Sequence, residues 1–430
     1  MGIDYFDIIA VFALIVVGAL LFLVLFEPGL DYQIDYPLPA PDSEDFWPLL
    51  SAVIDEQALE IADFEVLRNG EVFYSVELNA IANANSSIHL EAFIFHKTPI
   101  GERFVSALTE RAQAGVKVRV IVDAVGSMLT PNRFFDRLRT AGGQVEWYQP
   151  LRWYTLKRFN NRTHRELLVI DGKIAFIGGA GIASAWDQGD NGQQPWRDTV
   201  IRVVGPTAAA VQAVFIDNWL ESSGEILANE SVFPIGNRFE PLTVIGERIS
   251  LVAGSGPTGG RGTRARVLFQ MLTAAARSEI HINSPYFLPD RAMRRELLKA
   301  ATRGVKISVI VPGKYNNHLM TRYASRRLYG ELLAAGIAIY EYQPGMIHAK
   351  ILVVDQLWSV LGSTNFDNRS FGLNDEINLA SMDRKIANRL RIDFERDLQV
   401  SHRIELQEWQ QRPLTERLLA TLGRLIERQE

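Results

Sequence analysis

The feature that most constrains the fold of this chain is an internal repeat, in which four segments recur in the same order about 190 residues apart. The first three matches pair residues 86–95 with 278–287, 115–121 with 304–310, and 146–150 with 340–344. The fourth match is a histidine motif that follows in each half. One such match can arise by chance, but four in the same order do not. We therefore expect two copies of one domain, at 61–240 and 241–430.

The fourth match places titratable and small residues at fixed spacing. The second copy has the pattern H-x-K-x4-D-x6-G-S-x-N, formed by His348, Lys350, Asp355, Gly362, Ser363 and Asn365. The first copy keeps the same offsets at His164, Asp171, Gly178 and Gly179. It departs at two positions, with Glu166 in place of the lysine and Gly181 in place of the asparagine. The chain thus carries one intact and one altered half-site.

The residue types of the intact copy suit a phosphate ester. His348 and Lys350 stand two apart at the start of an apolar run, and side chains two apart on a strand point to the same face. The lysine charge, the Asn365 amide and the Ser363 hydroxyl can together hold the charge of a phosphate. A neutral imidazole can attack phosphorus or carry protons. Cysteine is absent and no His-Glu-x-x-His segment occurs, so we predict phosphodiester chemistry without thiol or metal.

Apolar runs alternate with amphipathic stretches in both halves. The β-branched runs lie at 116–122, 167–170, 307–311 and 351–354, and helical spacing occurs at 104–114 and 291–303. Alternation of strand and helix predicts an α/β fold in which each repeat is a mostly parallel sheet flanked by helices. Leucines at helical spacing in 413–428 predict a C-terminal amphipathic helix that packs on the body.

The N-terminal region has a different character from the rest. After a tail at 1–7, residues 8–26 contain no charged or strongly polar side chain, and as a helix they would extend about 28 Å, close to the thickness of a bilayer core. A signal peptide would require a basic start and a cleavage site of small residues, and neither is present. We predict one transmembrane helix, followed by an extended, proline-rich linker at 27–60. Charge gives no orientation for the span.

The net charge of −5 argues against a general nucleic-acid binder, which usually carries a basic field. The expected partner from these features is the membrane, with no nucleic acid and no cofactor. The expected location is the cell membrane, with a single span.

Taken together, these residues resemble the phospholipase D superfamily, and within it bacterial cardiolipin synthases. Besides the two motifs, the resemblance rests on residues 85–95, 123–127, 196–199, 284–289, 362–370 and 374–376, and it extends over 61–430. It implies that the two repeats face each other across a pseudo-twofold axis with one active site between them. It also implies a bacterial inner-membrane location and a reaction that needs no metal.

The resemblance further implies a two-step reaction through a phosphohistidine, in which His164 is the nucleophile and His348 the acid and base. An acidic residue about thirty positions downstream would orient each imidazole: Asp198 for His164, and Glu376 for His348. The phosphate-binding residues are expected to be Lys350, Ser363, Asn365 and Gly179, whereas Asp171 and Asp355 are expected to be structural. Donor and acceptor would both be phosphatidylglycerol, with glycerol leaving.

The altered positions bear directly on activity. Glu166 places an anion where the motif has a cation, and at an effective dielectric near 20 one charge at a few ångströms is worth about 4 kcal/mol. One possibility is that an arginine or lysine of the long loop at 151–163 (Arg152, Lys157, Arg158, Arg162), or the adjacent Arg165, takes over the phosphate. Another is that Glu166 pairs with Lys350 or an arginine and raises the pKa of a neighbouring histidine. The basic loop could also be a solvated rim facing anionic lipids.

The expected function is therefore a membrane-anchored phosphatidyltransferase of the cardiolipin synthase type that acts on phosphatidylglycerol. Two alternatives stay open at this point. The first is a phospholipase D or other phosphodiesterase that uses water as the acceptor. The second is a catalytically impaired protein that binds lipid on the same scaffold.

Overall fold

The computed structural model describes residues 5–25, 32–150, 160–189, 192–228, 248–257 and 264–423. The first elements are α1 (Tyr5–Leu25), α2 (Phe46–Ile54) and β1 (Leu59–Glu60). The first repeat then contains β2 (Asp63–Arg68), α3 (Gly70–Ala82), β3 (Ser87–Ala92), α4 (Pro99–Gln113), β4 (Lys117–Asp123), a 3-10 turn at Asn132–Phe135, α5 (Asp136–Thr140), β5 (Gln144–Tyr148), β6 (Glu166–Ile170), β7 (Ile174–Gly178), α6 (Ser184–Asp187), β8 (Thr199–Val204) and α7 (Pro206–Ser223).

The second repeat has the same plan. It contains β9 (Ile249–Ser255), α8 (Arg264–Ala275), β10 (Glu279–Asn283), α9 (Arg291–Thr302), β11 (Lys306–Pro312), α10 (Leu319–Ala334), β12 (Ala338–Tyr342), β13 (Ile351–Val354), β14 (Trp358–Gly362), α11 (Asn368–Gly372), β15 (Glu376–Met382), α12 (Arg384–Gln399), β16 (Ser401–Ile404), α13 (Leu406–Gln410) and α14 (Leu414–Gly423).

The strands form two mixed sheets. One has seven strands in the order β2-β8-β7-β6-β3-β4-β5, and the other has nine in the order β1-β9-β15-β14-β13-β10-β11-β12-β16. In each sheet only three consecutive strands are parallel, β3-β4-β5 and β10-β11-β12, and the remaining pairs are antiparallel. The predicted α/β fold with two similarly built units is confirmed. The prediction of mostly parallel sheets is wrong.

The motif itself causes the antiparallel half of each sheet. Asp171 (φ 54°) and Asp355 (φ 53°) start tight turns in the left-handed backbone region, and a tight turn between neighbouring strands makes them antiparallel. The Asp171 carboxylate accepts hydrogen bonds from the main-chain amides of 85–87, and that of Asp355 does the same with 277–279. Each aspartate thereby fixes the motif hairpin to the start of the first of the three parallel strands, β3 or β10.

The largest apolar contact between the repeats lies where the inner faces of the two sheets meet. Val169 and Ile201 of one sheet belong to the same buried cluster as Ile351 and Leu379 of the other, together with residues of α7 and α12. The outer faces are covered by α3 and α4 on the first sheet and by α2, α8, α9 and α10 on the second. The two repeats are thus held face to face.

The segment predicted as an extended linker at 27–60 differs from that prediction over its described part. In α2, Phe46, Leu50 and Ile54 recur every fourth residue and are fully buried in the outer core of the second repeat. Before α2, the carbonyl of Pro41 accepts a hydrogen bond from Nε1 of the buried Trp358 at 2.8 Å. Residues 32–54 are therefore attached to the second repeat over most of their length, because their apolar side chains fill its surface.

Within the described residues, none of the helices combines the length and the hydropathy that crossing a membrane requires.

The described part of the C-terminal amphipathic segment is α14, which packs against α10. Ala420 is buried there, and Glu416 pairs with Arg326 of α10 at 2.7 Å. Leu414, at the start of the predicted stripe, is exposed. The remainder of the stripe, from 424 onward, lies outside the described residues.

Candidate active site

Both motif histidines line one cavity of about 350 Å³. The first repeat contributes His164 and Gly179 to the lining of this cavity, and the second repeat contributes His348 and Asn365. Four aromatic side chains, Phe93, Trp186, Trp196 and Tyr286, form much of the remaining wall. No group of three or more histidine, aspartate or glutamate side chains is placed to hold a metal ion in the described part of the chain.

Two short main-chain bridges between the repeats position the histidines. The amide of His164 donates to the carbonyl of Asp375 at 2.9 Å, and the amide of Asp375 donates to the carbonyl of Arg162 at 2.9 Å. In the related bridge, the amide of His348 donates to the carbonyl of Arg197 at 2.7 Å. Both bridges are parallel. Each histidine is thereby aligned with the segment that holds the acid of the opposite repeat.

The imidazole–carboxylate pairs cross from one repeat to the other. Nδ1 of His164 lies 3.0 Å from Oε2 of Glu376, and Nδ1 of His348 lies 2.9 Å from Oδ2 of Asp198. Both carboxylates are fully buried. The expectation that Asp198 orients His164 and Glu376 orients His348 is wrong, because the bridges join the segment before each histidine to the segment before the other repeat's acid.

His348 and Lys350 form a compact buried pair. Nζ of Lys350 lies 2.7 Å from Nδ1 and 3.1 Å from Nε2 of His348. Burial, reinforced by the lysine charge, lowers the pKa of His348 to about 4 despite its bond to Asp198. Burial likewise lowers the pKa of Lys350 to about 8. His348 is therefore neutral at pH 7. When Nδ1–H donates to Asp198, the Nε2 lone pair faces Nζ of Lys350, so the ammonium must turn to a phosphate before Nε2 can react.

The predicted phosphate-binding residues separate into two groups. Asn365 lines the cavity, and its buried Oδ1 has no hydrogen-bond partner among the described residues. Gly179 also lines the cavity, and a Cβ added there would lie 2.7 Å from Nζ of Lys350, so glycine leaves the room that the ammonium occupies. Ser363 has a different position, since its Oγ donates to Glu376 and accepts from the amide of Ile377 at 3.1 Å. Its hydroxyl supports the carboxylate that holds His164.

The two altered motif positions fit one another. Oε1 of Glu166 accepts from the main-chain amides of Phe93 at 3.2 Å and Ile94 at 3.3 Å. A Cβ at Gly181 would lie 3.1 Å from that same oxygen and 2.7 Å from the carbonyl oxygen of Ile94, so the glutamate occupies space that a side chain at 181 would need. Burial raises the pKa of Glu166 well above its usual range. Glu166 therefore binds main chain through a carboxyl group whose charged form is disfavoured by burial, while the nearby charge of Lys350 acts on its pKa in the opposite direction. Among the described residues, Glu166 forms no ion pair with Lys350 or an arginine.

The basic loop does not supply a described replacement for the missing lysine. Arg152, Lys157 and Arg158 lie outside the described residues. Arg162 and Arg165 are buried, and they donate to the carbonyls of Gln149 (3.0 Å) and Val214 (2.7 Å) respectively. A cation that motif spacing missed is Arg369, which lines the cavity and donates to Oδ1 of Asn160 at 2.8 Å. In the sequence, its place at the cavity was indicated only by its position in the segment 362–370, which is part of the resemblance.

The contacts of Glu166 predict the outcome of restoring the motif lysine. In Glu166→Lys the amides of Phe93 and Ile94 lose their acceptor and a second cation is buried near Lys350, so we expect the free energy of unfolding to fall by about 2–4 kcal/mol. Glu166→Gln keeps a side-chain oxygen as the acceptor for both amides and introduces no charge, so it should leave the free energy of unfolding within about 1 kcal/mol of the native value. Urea denaturation of the three proteins at pH 7 measures this. A Glu166→Lys protein as stable as the native one would contradict the assigned contacts.

The comparison with known proteins agrees with this geometry. The family described as cardiolipin synthase, PLD-like domain, matches residues 78–190 and 268–398. The probable cardiolipin synthase YwiE of Bacillus subtilis (strain 168) is 33% identical over 366 residues, which cover 85% of this chain and 72% of that protein. A cardiolipin synthase of Geobacillus thermodenitrificans (strain NG80-2) is 34% identical over 365 residues, covering 84% and 71%. Among solved structures, the phosphatidylserine synthase of Haemophilus influenzae Rd KW20 has the same fold, with a TM-score of 0.69 at 16% identity over 88% of this chain and 98% of that one.

Proposed function

Because this chain belongs to the cardiolipin synthase branch of the phospholipase D superfamily, we propose that it is a membrane-anchored enzyme that joins two phosphatidylglycerol molecules into cardiolipin and releases glycerol. The observation that carries the proposal is the cavity in which both histidines stand, each bonded to a buried carboxylate of the opposite repeat. A lysine beside one histidine supplies the positive charge that a phosphodiester needs.

In the first step, Nε2 of His348 attacks the phosphorus of one phosphatidylglycerol. A nitrogen–phosphorus bond forms as the bond from phosphorus to the glycerol oxygen breaks, and protonated His164 gives its proton to that oxygen. The neutral state of His348, its Nδ1–H bond to Asp198 and its contact with Lys350 support it as the nucleophile. This reverses the roles implied by the resemblance.

In the second step, the terminal hydroxyl of another phosphatidylglycerol gives its proton to His164 and attacks phosphorus. The nitrogen–phosphorus bond breaks, cardiolipin leaves, and His164 is again protonated. His164 suits this task because its carboxylate partner Glu376 stabilises the imidazolium. Glu166 also lines the cavity, but its carboxyl oxygen accepts from the amides of Phe93 and Ile94, and no proton transfer is assigned to it.

We place the anchor in the apolar segment 8–26. Side chains of α1 within that segment are largely exposed, with Ile9, Phe12, Leu14 and Ile15 between 63% and 71% accessible. Such a large exposed apolar surface is unfavourable in water. The acyl chains of a bilayer would bury it over a stretch of this length.

The buried lysine predicts the alkaline limit of activity. Only protonated Lys350 carries the charge that holds the phosphate, and its pKa is lowered to about 8. We therefore expect kcat/KM, which reports the free enzyme, to fall as the pH rises through about 8. Lys350→Arg, whose guanidinium stays charged, should be slower yet lose this alkaline fall. An unchanged alkaline limb in Lys350→Arg would exclude Lys350 as its cause.

The proposed function is tested by lipid mass spectrometry of the products formed from phosphatidylglycerol vesicles. Cardiolipin and free glycerol from the native protein, and neither from His348→Ala, are the expected result. Phosphatidic acid in place of cardiolipin would identify water as the acceptor and make the enzyme a phospholipase D. Lipid binding without any product in either protein would overturn the proposed enzymatic function.

A further inference from the structure

A basic groove lies on the outer surface of the second repeat, away from the cavity. It has a volume of about 760 Å³ and runs along α9 beside α10. Its charged lining consists of five basic residues and one acid, namely Arg291, Arg294, Arg295, Lys299, Arg303 and Glu331. We call it the α9 groove. The lining thus carries four more positive than negative charges. Because the whole chain has a net charge of −5, composition does not account for this excess.

The spacing of these residues gathers the charge on one stripe of the helix. Positions 291, 294/295, 298/299 and 302 recur every three to four residues and so share a face. Arg291, Lys299 and Arg303 are exposed, while the acid on the same helix, Glu296, is buried and held by Lys299 Nζ at 3.0 Å. The guanidinium of Arg303 is held by carbonyls at the end of α8, with Ala274 O at 2.8 Å. Arg294 lies 3.6 Å from Glu331, and Arg295 lies 3.8 Å from Glu296. Five basic residues against these two acids leave the face with an excess of positive charge.

The chain enters the globular body along this groove. Nη2 of Arg295 donates to the carbonyl of Tyr32 at 2.6 Å, and Nζ of Lys299 donates to that of Ile34 at 3.4 Å. Tyr32 follows the last residue of the apolar segment 8–26 by only six positions, which span at most about 20 Å even when fully extended. A bilayer that holds the apolar segment is consequently close to the groove.

The same contact region reaches the cavity. The Tyr32 ring lies 4.9 Å from the guanidinium carbon of Arg266, whose Nη2 donates to Oδ1 of Asn368 at 3.2 Å. Asn368 starts α11, and the next residue, Arg369, lines the cavity. The α9 groove, the point where the chain enters the body and the cavity rim are thus joined by direct contacts.

We infer that the α9 groove binds the headgroups of anionic phospholipids in the membrane that holds the segment 8–26. The inference rests on the proposed membrane anchorage and adds a second lipid contact outside the active site. Lysine and arginine side chains are attracted to an anionic membrane surface, and exposed charges act within a Debye length of about 8 Å. The phosphates of the bilayer match both the sign of the groove and its distance from the apolar segment.

The test compares lipids that remain bound to the full-length protein. The protein is reconstituted into vesicles of equal phosphatidylcholine and phosphatidylserine, extracted in mild detergent, and its retained lipids are quantified by mass spectrometry. The variant is R291Q/K299Q/R303Q. The matched control, K117Q/R133Q/K173Q, removes three exposed cations of the first repeat, and R291K/K299R/R303K keeps the charge of the groove.

We expect the native protein, the control and the charge-keeping variant to prefer phosphatidylserine, and the groove variant to lose about tenfold of that preference. Equal preference in the native protein and the groove variant would overturn the inference, as would an equal loss in the control. Loss of the phosphatidylserine preference in the charge-keeping variant would also overturn the inference. The same holds if the native protein retains RNA in place of phosphatidylserine when both are offered. Cardiolipin formation is measured separately on the same proteins, so a native protein that retains phosphatidylserine but makes no cardiolipin contradicts the proposed function and supports the groove.

Discussion

His348→Ala is expected to abolish the phosphoenzyme, while His164→Ala still forms it from a donor whose leaving group needs no proton. The donor to use is a phosphatidyl ester of p-nitrophenol, since p-nitrophenolate leaves without an acid. With phosphatidylglycerol, loss of the acid His164 should reduce the rate by about 10²–10⁴-fold. With the activated donor most of that loss should disappear, because the nucleophile and Lys350 are intact.

The measurement is a burst of p-nitrophenolate followed by mass spectrometry of the quenched protein to locate the phosphorylated histidine. We expect a burst of one equivalent in His164→Ala with the label on His348, and no burst in His348→Ala. Near-ultraviolet circular dichroism of both variants serves as the control for folding. A burst in His348→Ala with the label on His164 would restore the roles implied by the resemblance.

Asp198→Asn and Glu376→Gln should give opposite patterns with the same two donors. Asp198 holds His348 in the tautomer with a free Nε2, so Asp198→Asn should slow the reaction of both donors by about 10²–10⁴-fold, as expected for an acid that orients a catalytic imidazole. Glu376 is bonded to His164, so Glu376→Gln should slow the reaction of phosphatidylglycerol by a similar factor. The reaction of the activated donor should be largely unaffected.

This comparison tests the crossing of the pairs separately from the choice of nucleophile. If each acid paired with the histidine of its own repeat, Asp198→Asn would spare the activated donor and Glu376→Gln would slow both donors. The results for His164→Ala and His348→Ala would not change. Ser363→Ala is a matched partner for Glu376→Gln, because the Ser363 hydroxyl donates to that carboxylate. It should show the same preference for the activated donor with a smaller loss.

Motif spacing predicted much of the site because local structure determines it. Lys350 stands two residues after His348 in the segment that leads directly into β13, so its place beside the imidazole follows from a short sequence separation. The duplicated order of segments likewise predicted two similar units, and the resemblance to the phospholipase D superfamily implied one site between them. The hairpins that begin at Asp171 and Asp355 were not expected, since a short apolar run does not reveal the direction of its neighbour.

Contacts between the repeats were beyond prediction from spacing. Asp198 stands 34 positions after His164 and Glu376 stands 28 after His348, which suggested pairing within a repeat. The pairing is decided instead by two main-chain bridges whose partners are far apart in sequence. The contacts of Glu166 were equally beyond prediction, because only the structure places the amides of Phe93 and Ile94 beside its carboxyl group.

Because the histidine–carboxylate pairs cross between the repeats, each copy of the duplicated unit needs the other copy to complete its pair. Neither copy holds a complete catalytic dyad, so an ancestor with a single copy would have needed to assemble as a homodimer before it could react. The first repeat is therefore not dispensable even with Glu166 at the position of the motif lysine, because its Asp198 is bonded to the histidine of the second repeat. An altered motif does not make the repeat that carries it redundant.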